Sequence, residues 1–103
     1  MAEQTIWRFE DRLAEHVTLL IPPAAEVLFL RTHRRSPRTI EVWVRLDPEE
    51  TPEKRVLVAV GTGHPVPDDA GRFVGSVFFG DGDAFVFHYF ESGQGTGPAA
   101  SDG

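Results

Sequence analysis

The sequence predicts an all-β, single-domain fold, an antiparallel β-sandwich or partly open barrel of about seven short strands, and three observations carry that expectation. Apolar and polar residues alternate with period two through most of the chain, the pattern of a half-buried strand rather than a helix. Aromatic residues make up 11% of the sequence and Lys54 is its only lysine, a composition that suits pleated surfaces. Gly, Pro and Asp punctuate the apolar segments at short intervals, as tight connections between strands require.

Each element has its own justification. Thr5–Glu10 puts Trp7 and Phe9 on one side and Arg8 and Glu10 on the other. A single helical turn around Asp11–Glu15 is compatible with DRLAE and too short to change the class. Val17–Ile21 is short and apolar, stopped by Pro22 and Pro23, which cannot donate to a ladder. Glu26–Thr32 is apolar on both sides and reads as a central strand, whereas Thr39–Leu46 alternates cleanly, with Ile40, Val42, Val44 and Leu46 facing one way. Lys54–Val60 reads as fully buried, and Arg72–Phe79 and Ala84–Phe90 complete the set. Between the last two, Asp81-Gly82 predicts a two-residue type I′ turn. That turn pairs Phe79 with Ala84, Val77 with Val86, Gly75 with His88 and Phe73 with Phe90. The opposite face then carries Val74, Ser76 and Phe78 against Phe85, Phe87 and Tyr89, so the hairpin is apolar on both sides and calls for a second layer or a second subunit.

A chain of 103 residues is one domain, expected here to occupy residues 1–91. Residues 92–103, SGQGTGPAASDG, hold four glycines and no large apolar side chain, and the expectation is a flexible tail. With 16 carboxylates against 10 basic residues the net charge is −6, which argues against general nucleic-acid binding. The absence of cysteine removes disulfides, thiolate metal sites and cysteine nucleophiles. No apolar run approaches the ~20 residues of a membrane helix and no signal peptide opens the chain, so the expectation is a cytoplasmic protein without membrane contact. No cofactor, metal site or catalytic residue is assigned.

Four groups of residues have chemical potential. Gly61, Thr62, Gly63 and His64, followed by Pro65-Val66-Pro67, free backbone donors and add two side-chain ones, enough to cradle an anion or a carbonyl. The plainer reading is a tight turn stiffened by prolines. His88, expected opposite Gly75, is the second candidate with His64; a base there needs an orienting carboxylate, and a histidine among aromatic residues is more often satisfied within the core. Arg34 and Arg35 lie in a basic run, Arg31 to Arg38, whose Ser36-Pro37 marks a hairpin tip. Guanidinium forks there suit phosphate or carboxylate, or else neutralise the Asp47, Glu49, Glu50 and Glu53 segment. Trp43 sits on the polar face of its strand and needs cover from its own chain, a ligand or a second subunit. With Phe78, Phe85, Phe87 and Tyr89 it forms the expected subunit interface.

The motifs Trp7-Arg8-Phe9, Val60-Gly61-Thr62-Gly63-His64-Pro65-Val66-Pro67, Phe73-Val74-Gly75-Ser76 and Phe87-His88-Tyr89-Phe90-Glu91, with Trp43-Val44 and Leu46-Asp47-Pro48, resemble a family of small proteins of unknown function encoded by phages and actinobacteria. The resemblance spans Thr5 to Glu91 and implies a viral or prophage accessory protein; it carries over no activity and no site. Together these readings favour a non-enzymatic, homo-oligomeric binding protein, a phage accessory or anti-defence factor that sequesters an anionic small molecule or a protein partner. The competing classes are a small hydrolase or isomerase using His64 or His88, and a structural component of a particle.

Overall fold

The structure, a computed structural model, describes residues 3–93. Seven strands occupy the predicted segments: β1 (Thr5–Arg12), β2 (His16–Ile21), β3 (Glu26–Thr32), β4 (Thr39–Leu46), β5 (Glu53–Gly61), β6 (Ala70–Phe79) and β7 (Phe85–Ser92). They form two open sheets rather than a closed barrel, β1-β4-β3 and β2-β5-β7-β6, and every hydrogen-bonded pair is antiparallel. Asp11 and Arg12 extend β1 by pairing with Ile40 and Thr39, so the helical turn that Asp11–Glu15 would allow does not form. The ladder to β4 satisfies the backbone groups that one isolated turn would leave open.

The core lies between the sheets, where period two puts every second side chain. Ile40, Val42, Val44 and Leu46 of β4 are buried against Val17, Leu19 and Ile21 of β2, Leu57 and Ala59 of β5, and Val77 of β6. β3, expected to be central, is the outer strand of its sheet: a bulge between Val27 and Phe29 turns both Val27 and Leu30 inward, and its far side abuts β6. That seam depends on Gly75. A Cβ on Gly75 would sit 2.9 Å from the Leu30 carbonyl oxygen and 3.3 Å from the Leu30 nitrogen. Arg72 Nη2 donates to the Val27 carbonyl and Thr32 Oγ1 to the Phe78 carbonyl along the same line. Among the described residues the opposite side of the sandwich has no such seam, because β1 and β2 each pair along one edge alone.

The last hairpin departs from its expected register. Gly80 to Ala84 form a five-residue connection with a 3₁₀ turn over Asp81–Asp83, and Asp83 as well as Gly80 and Gly82 takes positive φ. The added residue shifts the pairing by one, to Phe79 with Phe85, Val77 with Phe87 and Ser76 with His88, and an irregularity at Phe73/Gly75 restores Phe73 to Phe90. A one-residue shift exchanges the faces. Gly75 therefore opposes Tyr89 and not His88, and Tyr89 and Phe87 turn toward the core. Tyr89 is fully buried, donates its hydroxyl to the Ala14 carbonyl at 2.5 Å, and burial pushes its phenol up to about 12.

Arg55 closes the other end of the core. It is 7% exposed and donates to the Pro22, Pro23 and Ala25 carbonyls and to Glu91 at 3.2 Å, which satisfies a buried charge that would otherwise be costly. Of the segment read as a tail, Ser92 ends β7 and Gly93 donates to the Asp69 carbonyl at 2.9 Å; residues 94–103 lie outside the described residues.

Candidate functional site

The Gly61-Thr62-Gly63-His64 segment is a tight turn. His64 N–H donates to the Gly61 carbonyl at 3.0 Å, and Gly63 takes φ 88°, which a side chain would resist. The His64 ring lies against Gly61, where a Cβ would be 3.2 Å from its Nδ1, and it borders a small cleft with Glu15, His16 and Pro65. Thr62 turns instead toward β7, its Oγ1 2.8 Å from His88 Nε2, while Ser76 Oγ is 2.9 Å from His88 Nδ1. Both ring nitrogens of His88 are thus held by hydroxyls. No carboxylate among the described residues is bonded to it, so the orienting acid that a catalytic base needs is not supplied by this arrangement.

The basic run sits elsewhere. The β3–β4 turn is closed by His33 N–H to the Thr39 carbonyl at 2.8 Å and Thr39 N–H to the Ser36 carbonyl at 3.0 Å. Its acids come from the strands beside it and not from Asp47 to Glu53, which follow β4 at the strand's other end. The registers Arg8 to Trp43, Glu10 to Glu41 and Arg31 to Glu41 put these groups on one face of the sheet. Glu41 accepts from Arg8 Nη1 at 2.7 Å and from Arg31 Nε at 3.0 Å, and His33 Nε2 lies 3.4 Å from Glu10. Hydrogen bonding to Arg31 and Arg8 holds the Glu41 carboxyl below the usual range, against the opposing effect of burial. Glu10, His33 and Glu41 bring ligand atoms within 4.8 Å of one another, a spacing open to a metal. The two guanidinium groups already occupy those carboxylates, so the cluster is an ion-pair network.

That network consumes Arg8 and Arg31 and leaves other arginines over. Among the described residues, Arg12, Arg34, Arg35 and Arg38 make no ion pair. The β3–β4 turn meets the β6–β7 connection at one end of the sandwich, and two clefts open on either side of Pro37, Phe79 and Gly80. The first, about 570 Å³, is lined by Arg12, Leu13, Pro37, Arg38, Phe79 and Asp81; the second, about 600 Å³, takes in Arg34, His33 and Phe78. Both volumes suit a small molecule. Arg34 and Arg35 border a third hollow with Arg8 and Glu10, whereas His64 lines its own with Glu15. The Gly61–His64 turn and the Arg34–Arg35 tip, each a candidate for holding an anion, are thus in separate surroundings: the strand order sets β5 two strands away from β6 and the seam. Arg12 and Phe79 were missed, since only the fold brings the end of β1 to the β6–β7 connection.

Trp43 finds its cover inside the chain. Its ring stacks on Phe29 at 4.6 Å and 10°, with the Arg31 guanidinium 5.3 Å from its centroid. Tyr89 is core and Phe87 packs against the core, the consequence of the shifted register. Phe78 and Phe85 stay exposed, at 55% and 59%. Phe85 stacks on Phe79 at the cleft end, with ring centroids 5.5 Å apart.

A family model described as a domain of unknown function, DUF7352, matches residues 2–98. The chain belongs to that family. The match spans every strand of the DUF7352 domain described above, including the turns that bound the clefts. No curated protein and no solved structure matches the chain. No helix of the described residues is long and apolar enough to cross a membrane.

Proposed function

We propose that the domain is a non-catalytic binding protein that takes an anionic small molecule at the end of the sandwich. The observation that carries this reading is the pairing of Arg12 and Arg38, both without an ion pair among the described residues, across a cleft of about 570 Å³ with the apolar Leu13, Pro37 and Phe79. Guanidinium forks hold phosphate or carboxylate oxygens, and the apolar wall takes a ring or a hydrocarbon part. Arg34, on the far side of Pro37, adds positive charge beside the cleft. The resemblance to phage and actinobacterial proteins and the cysteine-free composition support a cytoplasmic accessory role, such as an anti-defence factor that sequesters a signalling nucleotide.

A thermal-shift panel of mono-, di- and cyclic nucleotides and sugar phosphates tests the reading. A ligand at a hundredfold excess over its dissociation constant stabilises the native state by about 2.7 kcal/mol, on the order of 10 °C for a domain of this size. The shift is expected to vanish in Arg12→Ala with Arg38→Ala, while the unliganded melting point holds. Equal shifts in wild type and variant would remove the cleft assignment. Turnover of an ester or phosphoester lost in His88→Ala would replace binding by the hydrolase reading.

A further inference from the structure

We propose that β1 is a self-pairing edge: two copies of the chain associate by antiparallel pairing of their β1 strands about a two-fold axis at Phe9, joining the two β1-β4-β3 sheets into one continuous sheet. The proposal does not rest on the cleft, although the two meet at Arg12, which ends β1 and lines the cleft.

The edge is available. Among the described residues, β1 lies outermost in its sheet and pairs with β4 alone, whereas the corresponding edge of β3 is taken up by β6. A free edge presents a row of unpaired backbone donors and acceptors, and proteins commonly blunt it with a short strand, a proline, a bulge or charged side chains. β1 is neither short nor interrupted: eight residues run in unbroken register with β4, without Pro, and its charges, two of each sign, decide how the edge can pair. Ile6 and Trp7 on it are 57% and 47% exposed.

The charges of β1 select one register. In a two-fold antiparallel pair, facing residues share a face, so the axis runs between a residue and its own copy, and the choice of that residue decides which charges meet. Centred on Arg8, the strand sets Arg8 against its own copy. Centred on Glu10, it sets Glu10 against Glu10 and Arg8 against Arg12. Centred on Trp7, it brings no charges together and shortens the overlap. Centred on Phe9, it places Arg8 opposite Glu10 twice, Ile6 opposite Arg12 and Trp7 opposite Asp11, with no like charges facing. Directly opposed unlike charges stabilise a ladder and like ones destabilise it, so the same four side chains favour one pairing and oppose its neighbours. Arg8 is equipped for the contact. It binds both Glu10 and Glu41 through Nη1, which leaves Nη2 to reach across the axis.

The absence of cysteine makes the test clean, because any introduced thiol reports alone. Sedimentation equilibrium of the full chain is expected to show a species of twice 11.4 kDa that dissociates on dilution. Phe9→Cys is expected to form an intermolecular disulfide under mild oxidation, since opposed strand residues lie within disulfide reach. A mixture of Trp7→Cys and Asp11→Cys chains is expected to cross-link to each other, which keeps the register readable if Phe9→Cys fails to fold. Glu10→Arg sets the introduced guanidinium against Arg8 twice and is expected to raise the dissociation constant about tenfold, with its melting curve as the control for folding. A monomer at every concentration would overturn the proposal. So would a dimer in which neither thiol arrangement cross-links, since that dimer would use another surface.

Discussion

Tyr89 is the single tyrosine of the chain and the largest side chain in its core, so one spectroscopic signal reports one buried group. Burial raises its phenol from 10.0 to about 12, the backbone hydrogen bond to Ala14 working in the opposite sense. The native state therefore holds the phenolic proton more tightly than the unfolded chain. The stability it contributes is complete below 10 and is lost as pH rises through about 12. Urea melts across that range should show falling stability in the wild type and a flatter dependence in Tyr89→Phe. At neutral pH the same substitution should cost about 1 kcal/mol, because the Ala14 carbonyl loses its donor. Stability that stayed level across the alkaline range would remove this account. The identity of Tyr89 as a core residue was not legible in the sequence. Its place in a run of aromatics gave the period, but the face depended on a turn whose length Asp81-Gly82 alone did not decide, since Asp83 also takes positive φ. Glu41 shows the same limit: alternation put it on the polar face, yet only the lateral register of β1 and β3 supplies Arg8 and Arg31.

The strands themselves were legible, because half-burial imposes period two and the prolines and glycines mark where it stops. The order of strands was not. β3 was read as central from its apolar composition, and that composition has another cause: Val27 and Leu30 face the core across a bulge, while Phe29 covers Trp43 on the outer face. Composition records burial and is silent on whether a sheet neighbour or an aromatic stack provides it. The β3–β6 seam offers a direct test at this scale. Gly75→Ala places a methyl group 2.9 Å from a backbone oxygen that belongs to another strand and cannot rotate away. The expected cost is about 1–3 kcal/mol, a fall in melting temperature on the order of 10 °C, read by calorimetry. An unchanged melting point would mean that the two strands are free to separate at that position. The candidate cleft belongs to this scale as well. It is made where two connections meet, and its best-placed arginine, Arg12, lies at the end of a strand read as stopping at Glu10.

Across the described residues, the two sheets approach most closely at β3 and β6, and the side formed by β1 and β2 is unclosed. The arrangement is that of a book, with a spine and a fore-edge. Local opening starts where the fewest neighbours must be given up. In the dilute, dissociated chain, backbone amides of β6 and β7 should therefore exchange with solvent last, and those of β1 and β2 first, in a native-state hydrogen-exchange series read by mass spectrometry. Uniform protection across all seven strands would contradict that gradient. The cleft lined by Arg12 and Phe79 spans from the fore-edge strand to the spine strand, so a ligand seated there ties the covers together. Ligand occupancy should then slow exchange most in the strand that opens most readily, and the protein's resistance to proteases would follow the abundance of what it binds.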